Sequence, residues 1–125
     1  MSEIKRFAGD WKGRCRAVAA DGMVWAVATA KEVGPDVADQ TRATLAKIEE
    51  SLKDAGTDLH HLVEATVYLT DMSNKAVMDA VWCEIVPEDG WPCRACVGTD
   101  LAPDNLVEIK VTAVKGTVPG GRGNY

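Results

Sequence analysis

The stretch from Val37 to Ala55 constrains this chain most. Val37, Thr41, Leu45, Ile48, Leu52 and Ala55 recur every three or four residues, while Arg42, Lys47, Glu50 and Lys53 occupy the other faces. Gly34-Pro35-Asp36 breaks the chain ahead of it, and Asp36 is placed to cap, with Asp39 in the first turn. Gly56 follows the last periodic residue, where a left-handed C-cap belongs. The spacing predicts a helix with one apolar stripe, and that stripe needs a sheet to cover it.

Strand-like runs stand on both sides. Arg16-Ala17-Val18-Ala19 and Met23 to Ala30 flank Asp21-Gly22, a hairpin signal because both turn residues tolerate positive φ. Ala65-Thr66-Val67-Tyr68-Leu69-Thr70 alternates and is rich in β-branched residues. A second helix starts at Asp71 or Ser73, with Val77, Ala80, Val81 and Ile85 as its apolar face, and ends at Pro87-Glu88-Asp89-Gly90. Arg94 to Val97 and Leu106 to Lys115 read as two more strands, joined by a turn at Ala102-Pro103-Asp104-Asn105. The predicted order is β-β-α-β-α-β-β, with a hairpin at each end. This is an α/β (α+β) chain whose mixed sheet has two helices on one face. The uncovered face is an expected subunit interface, so a homo-oligomer is predicted.

At 125 residues and 46% hydrophobic composition, one domain over 1–125 is expected. The tail of about 118–125, Pro119-Gly120-Gly121-Arg122-Gly123-Asn124-Tyr125 included, is glycine-rich and predicted to be loosely ordered. A net charge of −5 without any Lys/Arg-rich run argues against nucleic acid as the main partner. The longest apolar run, Met23 to Ala30, is too short to cross a bilayer. Met1-Ser2-Glu3-Ile4-Lys5 contains no secretory apolar segment, so a cytoplasmic location and reduced thiols at Cys15, Cys83, Cys93 and Cys96 are expected.

Chemistry concentrates near the C-terminal strands. Trp91-Pro92-Cys93-Arg94-Ala95-Cys96-Val97 puts an arginine in a strand, and Leu106-Val107-Glu108-Ile109-Lys110 puts a glutamate in an apolar run. Arginine's planar fork suits a carboxylate, and a glutamate can orient or deprotonate a water. Each has a plainer reading: Arg94 in a structural salt bridge, and Glu108 paired with Lys110 on its own face. Trp25, Trp82 and Trp91 are packing groups by default, though Trp91 could wall a small pocket beside Arg94. Arg14 and Arg16 bracket Cys15, either as a charged strand entrance or as a second anion-binding group. Cys93 and Cys96 form C-x-x-C, but a strand would turn them to opposite faces, and a zinc site would need two further ligands. His60 and His61 read as a solvated loop pair.

Several segments together resemble the YjgF/RidA family of enamine/imine deaminases. Asp36-Val37-Ala38-Asp39-Gln40-Thr41-Arg42 is similar to its helix opening. Val63-Glu64-Ala65-Thr66-Val67-Tyr68-Leu69-Thr70-Asp71-Met72 is similar to its central strand and turn. Pro92-Cys93-Arg94-Ala95-Cys96-Val97 resembles its P-x-R-[SA]-C signature, and Leu106-Val107-Glu108-Ile109 its closing strand. The resemblance runs roughly from Arg14 to Lys115.

It implies a chorismate-mutase-like fold, a homotrimer, and three clefts between subunits. It further implies that Arg94 holds a small substrate carboxylate, while Glu108 and the backbone at Cys96 hold the attacking water. The substrates would be enamines or imines such as 2-aminoacrylate, yielding 2-oxo acids and ammonia without a metal or organic cofactor. The first hairpin departs from the pattern. Gly13-Arg14-Cys15-Arg16 stands where many members have Gly-Pro-Tyr, and Val27-Ala28-Thr29 where Ser-Gly-Gln is usual. These departures fit a divergent subgroup. If Arg14 faces the cleft, it would with Arg94 favour an amino or imino dicarboxylate. The alternatives are a carboxylate-binding trimer without turnover, or a thiol-based redox or chaperone-like protein using Cys93 and Cys96.

Overall fold

The long helix α1 (Val37–Asp54) forms where the periodicity places it. The Asp36 carboxylate accepts a hydrogen bond from the Asp39 backbone N–H at 2.9 Å, which closes the N-terminus. At the other end Gly56 adopts φ 95°. This lets the Gly56 N–H reach the Lys53 carbonyl and the Thr57 N–H reach the Leu52 carbonyl, a Schellman arrangement.

The computed structural model describes residues 3–115. The strands are β1 (Lys5–Ala8), β2 (Cys15–Ala20), β3 (Met23–Thr29), β4 (Leu62–Leu69), β5 (Cys93–Gly98) and β6 (Val107–Val114). The second helix is α2 (Lys75–Ile85), between β4 and β5. They form one sheet in the order β1-β2-β3-β6-β4-β5. Every neighbouring pair is antiparallel except β4 and β5. The expected mixed sheet with two helices is therefore present. The predicted glycine-rich tail lies outside the described residues.

Three expectations need correction. An additional strand, β1, precedes the first predicted one. Its sequence Lys-Arg-Phe-Ala has one large apolar residue and is mostly exposed, so it carries no alternation to detect. The C-terminal hairpin does not form. β6 leaves β5 and inserts between β3 and β4, pairing with both. Val107, Ile109, Val111 and Ala113 are almost wholly buried, and a strand so apolar belongs in the middle of the sheet rather than beside its sequence neighbour. Finally, α2 is turned about one position from the predicted face. Met78, Val81 and Trp82 are buried, whereas Val77 is exposed. Met78 and Trp82, one turn apart, offer more area than Val77 and Ala80.

Leu45, Ile48 and Leu52 of α1 have no exposed surface, nor do Val24, Val67 and Ile109 of the sheet. Burying each such side chain is worth about 1.5–3 kcal/mol. The opposite face carries Trp25 and Val97, still 36% and 40% exposed. Among the described residues no helix is long and apolar enough to cross a membrane.

Gln40 stitches these layers together. It is fully buried in α1, yet its amide is satisfied. Nε2 donates to the Gly34 carbonyl at 2.8 Å and to the Asp104 carbonyl at 3.1 Å, and Oε1 accepts from the Leu106 N–H at 2.9 Å. Gln40→Leu would keep the volume but take the side-chain partner from three part-buried backbone groups and leave none of their hydrogen bonds to α1. The expected loss is about 2–4 kcal/mol in urea unfolding, and a loss under about 0.5 kcal/mol would show that the amide network is dispensable.

Candidate functional site

The turn after β1 is rich in glycine, and it throws Trp11 and Arg14 over the end of the sheet. Gly13 takes φ 91° there, a conformation that favours glycine. Immediately after it β2 is bulged. Phe7 pairs with Ala17 but Ala8 with Cys15, which leaves Arg16 as the extra residue. The bulge re-aims Arg16 towards α1, where Nη2 lies 2.9 Å from Asp54 and Nη1 donates to the Ser51 hydroxyl at 3.0 Å.

A cleft of about 710 Å³ opens at this end, lined among others by Trp11, Arg14, Thr29, Lys31, Lys47 and Glu108. Glu108 sits at the start of β6, opposite Thr29 on β3 and Tyr68 on β4. Its expected face holds: Val107 and Ile109 turn to the core, and Glu108 turns away from it. No ion pair joins it to Lys110 among the described residues, so the plainer reading of Glu108 does not apply within the chain. Arg14 shares the cleft and stacks over the Trp11 ring, 5.8 Å from its centroid. Two other cations of the wall are already engaged. Arg16 is tied to Asp54, and Lys47 lies 2.5 Å from Glu32 and donates to the Thr29 carbonyl. Exposed Asp10 and Glu50 add negative charge at the margin.

Arg94 lies elsewhere. It pairs with buried Ala65 of β4, so it projects on the helix-covered face while Glu108 projects on the other. Its guanidinium stacks on Trp82 at 4.9 Å, and Nη2 donates to Asp79 Oδ1 at 2.5 Å. Asp79 also accepts from Lys75 Nζ at 2.7 Å. Within one chain the plainer reading of Arg94, a salt bridge, is what its contacts describe. Cys96 follows on the same side and packs against the core, whereas Cys93 is exposed. Trp91 is 52% exposed, its indole N–H donating to the Val86 carbonyl at 3.2 Å, and it lies outside the cleft. Gly90 fixes the approach to β5, since a Cβ there would collide with the Leu59 carbonyl oxygen.

The named residues thus fall into two groups: Arg14 with Glu108 in the cleft, and Arg94 with Cys96 on β5, one of the two edges of the sheet. His60 and His61 bond to Asp89 and Asp58 at 2.8 and 2.7 Å, away from both groups. Trp11 and Asp79 were not singled out by sequence. Trp11 left one trace, a large aromatic in a glycine-bracketed turn. Asp79 left none beyond its four-residue spacing from Lys75.

Burial pushes the Asp79 carboxyl up, but hydrogen bonds from Lys75 and Arg94 outweigh this and hold it below its ordinary value. Its stabilising contribution is therefore complete above the ordinary carboxylate value and is lost as pH falls through the lower folded one. Asp79→Asn should cost about 1 kcal/mol or less at pH 7, the pair being partly solvated. The gap from the parent chain should close in melts at the acid end of the range; a gap that persists there would assign it to something other than this charge.

A profile of the family described as endoribonuclease L-PSP matches residues 16–115. The mitochondrial protein mmf1 of Schizosaccharomyces pombe is 32% identical over 101 residues, spanning 77% of this chain and 62% of that protein. The chain thus covers less than two thirds of that relative's length. A RutC family protein of Pyrococcus horikoshii is 39% identical over 88 residues, 70% of this chain and 69% of that one. The crystal structure of a YjgF family member from Neisseria meningitidis superposes with a TM-score of 0.86 at 38% identity, covering 93% of this chain and 98% of that chain. Profile, relatives and superposition agree with the motifs around Arg94 and Glu108: the chain belongs to the YjgF/RidA family.

Proposed function

We propose that this protein hydrolyses enamine or imine carboxylates to 2-oxo acids and ammonia, in clefts completed between the subunits of a homotrimer. The observation that carries this reading is Glu108, which lines a cleft with no cation of the described residues paired to it. The complementary residues, Arg94 and the Cys96 backbone, lie on an open strand edge where a second chain can meet them. The exposed Trp25 and Val97 on the uncovered face supply apolar area for such a contact.

The chemistry needs little more than this. An enamine tautomerises to an imine whose carbon is already electrophilic. Arg94 grips the carboxylate bidentately, and Glu108 orients a water and accepts its proton as the oxygen adds to that carbon. The proton returns to the nitrogen to give a carbinolamine; its hydroxyl proton then passes to the amine, the C–N bond breaks, and ammonia leaves as the carbonyl forms. Positioning one water against a held substrate is the source of the expected acceleration. The net charge of −5 gives poor attraction for a polyanion, which favours a small substrate over RNA despite the family's description. A cytoplasmic location belongs to the same proposal, and the Schizosaccharomyces relative, named as mitochondrial, makes fractionation the deciding measurement.

The test uses 2-aminoacrylate generated in situ by a lyase. Glu108→Gln should lower kcat by roughly 10²–10⁴-fold, and Arg94→Ala should abolish saturation. Mixing the two inactive variants and allowing subunit exchange should restore part of the activity, because some clefts then join an intact Arg94 to an intact Glu108. Wild-type protein that accelerates no imine would leave carboxylate binding without turnover.

Arg14 sets the expected selectivity. Arg14 lies over the Trp11 ring and makes no ion pair or hydrogen bond among the described residues, so its N–H donors are available to a second carboxylate. Arg14→Ala should reduce the preference for an imino dicarboxylate over a monocarboxylate by roughly ten-fold or more. An unchanged ratio of kcat/KM values would remove the dicarboxylate from the proposal.

A further inference from the structure

Arg94 is held by one stripe of α2. Lys75, Met78, Asp79 and Trp82 are spaced by three, one and three residues and so share a face. Arg94 Cζ lies over the Trp82 ring, 4.9 Å from its centroid, Met78 Sδ lies 3.8 Å from Nη1, and Asp79 accepts a hydrogen bond from Nη2. Beside Arg94 on β4 stands Ala65, whose methyl group leaves room for the guanidinium above the sheet. The Arg94 side chain is only 19% exposed. A guanidinium has five N–H donors, and this clamp occupies only part of them.

The charges matter as much as the contacts. Asp79 alone would neutralise Arg94 and make it a poor anion site. Lys75 bonds the other oxygen of the same carboxylate, so the three groups keep a net positive charge. A ligand carboxylate therefore meets a cation already fixed in orientation and still uncompensated by one charge. Without the clamp the arginine would regain its rotamer freedom and lose it again at each binding event.

We infer that Asp79 and Lys75 are positioning residues for the substrate carboxylate, acting through Arg94. This rests on Arg94 being the carboxylate group of the proposed reaction. The test is calorimetric binding of pyruvate, the 2-oxo acid product from 2-aminoacrylate, beside KM and kcat for the imine. Asp79→Ala, which removes the acceptor that fixes Nη2, should weaken pyruvate roughly ten-fold and raise KM by a similar factor, with kcat falling less. Asp79→Glu should recover part of the affinity. Lys75→Met should also weaken pyruvate, because Asp79 then neutralises Arg94.

A merely structural bridge would lower the melting temperature in these variants and leave pyruvate affinity within two-fold. That result, with Arg94→Ala still abolishing binding, would overturn the inference and leave the site reading intact. If Arg94→Ala bound pyruvate as the parent does, the carboxylate would lie elsewhere and both would fall.

Discussion

The whole arrangement hangs on a buried amide. Gln40 has no solvent to fall back on, so its three hydrogen bonds must be made by protein. They join the entry to α1 with the loop that leads into β6. That loop decides where β6 starts, and β6 carries Glu108 two residues after the bonded Leu106 N–H. A hydrophobic contact could hold the helix on the sheet at several offsets. The amide permits one, because donors and acceptors have direction.

What could be read from sequence follows the range of the interactions. The boundaries of α1 were legible because caps act over three or four residues: Asp36 with Asp39, Gly56 with Leu52 and Lys53. The faces of β6 were legible because alternation is local. The insertion of β6 between β3 and β4 was not, since hydrophobic pattern states which side of a strand is buried but not which strands flank it. β1 was missed for a related reason: an edge strand needs no apolar stripe. The rotation of α2 turned on comparing side-chain areas at Met78 and Trp82 with those at Val77 and Ala80, and spacing alone does not weigh areas.

The site shows the same division. Arg94 and Glu108 looked like partners because they are close in sequence, yet one intervening strand, β4, and the thickness of the sheet separate their side chains. Arg14, almost a hundred residues away in sequence, is the residue that shares the cleft with Glu108. The salt bridge was foreseen for Arg94 as a type of contact, but Asp79 as its acceptor depends on how a crossover helix lies on a parallel strand pair. Carboxylate chemistry is therefore written into the residue types, while its assembly is written into the topology.

The two edges of the sheet differ in a way that bears on solubility. β5 ends in Val97 and Gly98, an edge on which another strand could lie with little loss of hydration. β1 at the far edge presents exposed Lys5 and Arg6. Head-to-tail stacking of sheets would press that pair of cations against the apolar end of the next molecule and strip their water. Filament growth along the sheet is thus opposed from one side by two ordinary residues, which leaves compact association as the route open to so sticky an edge.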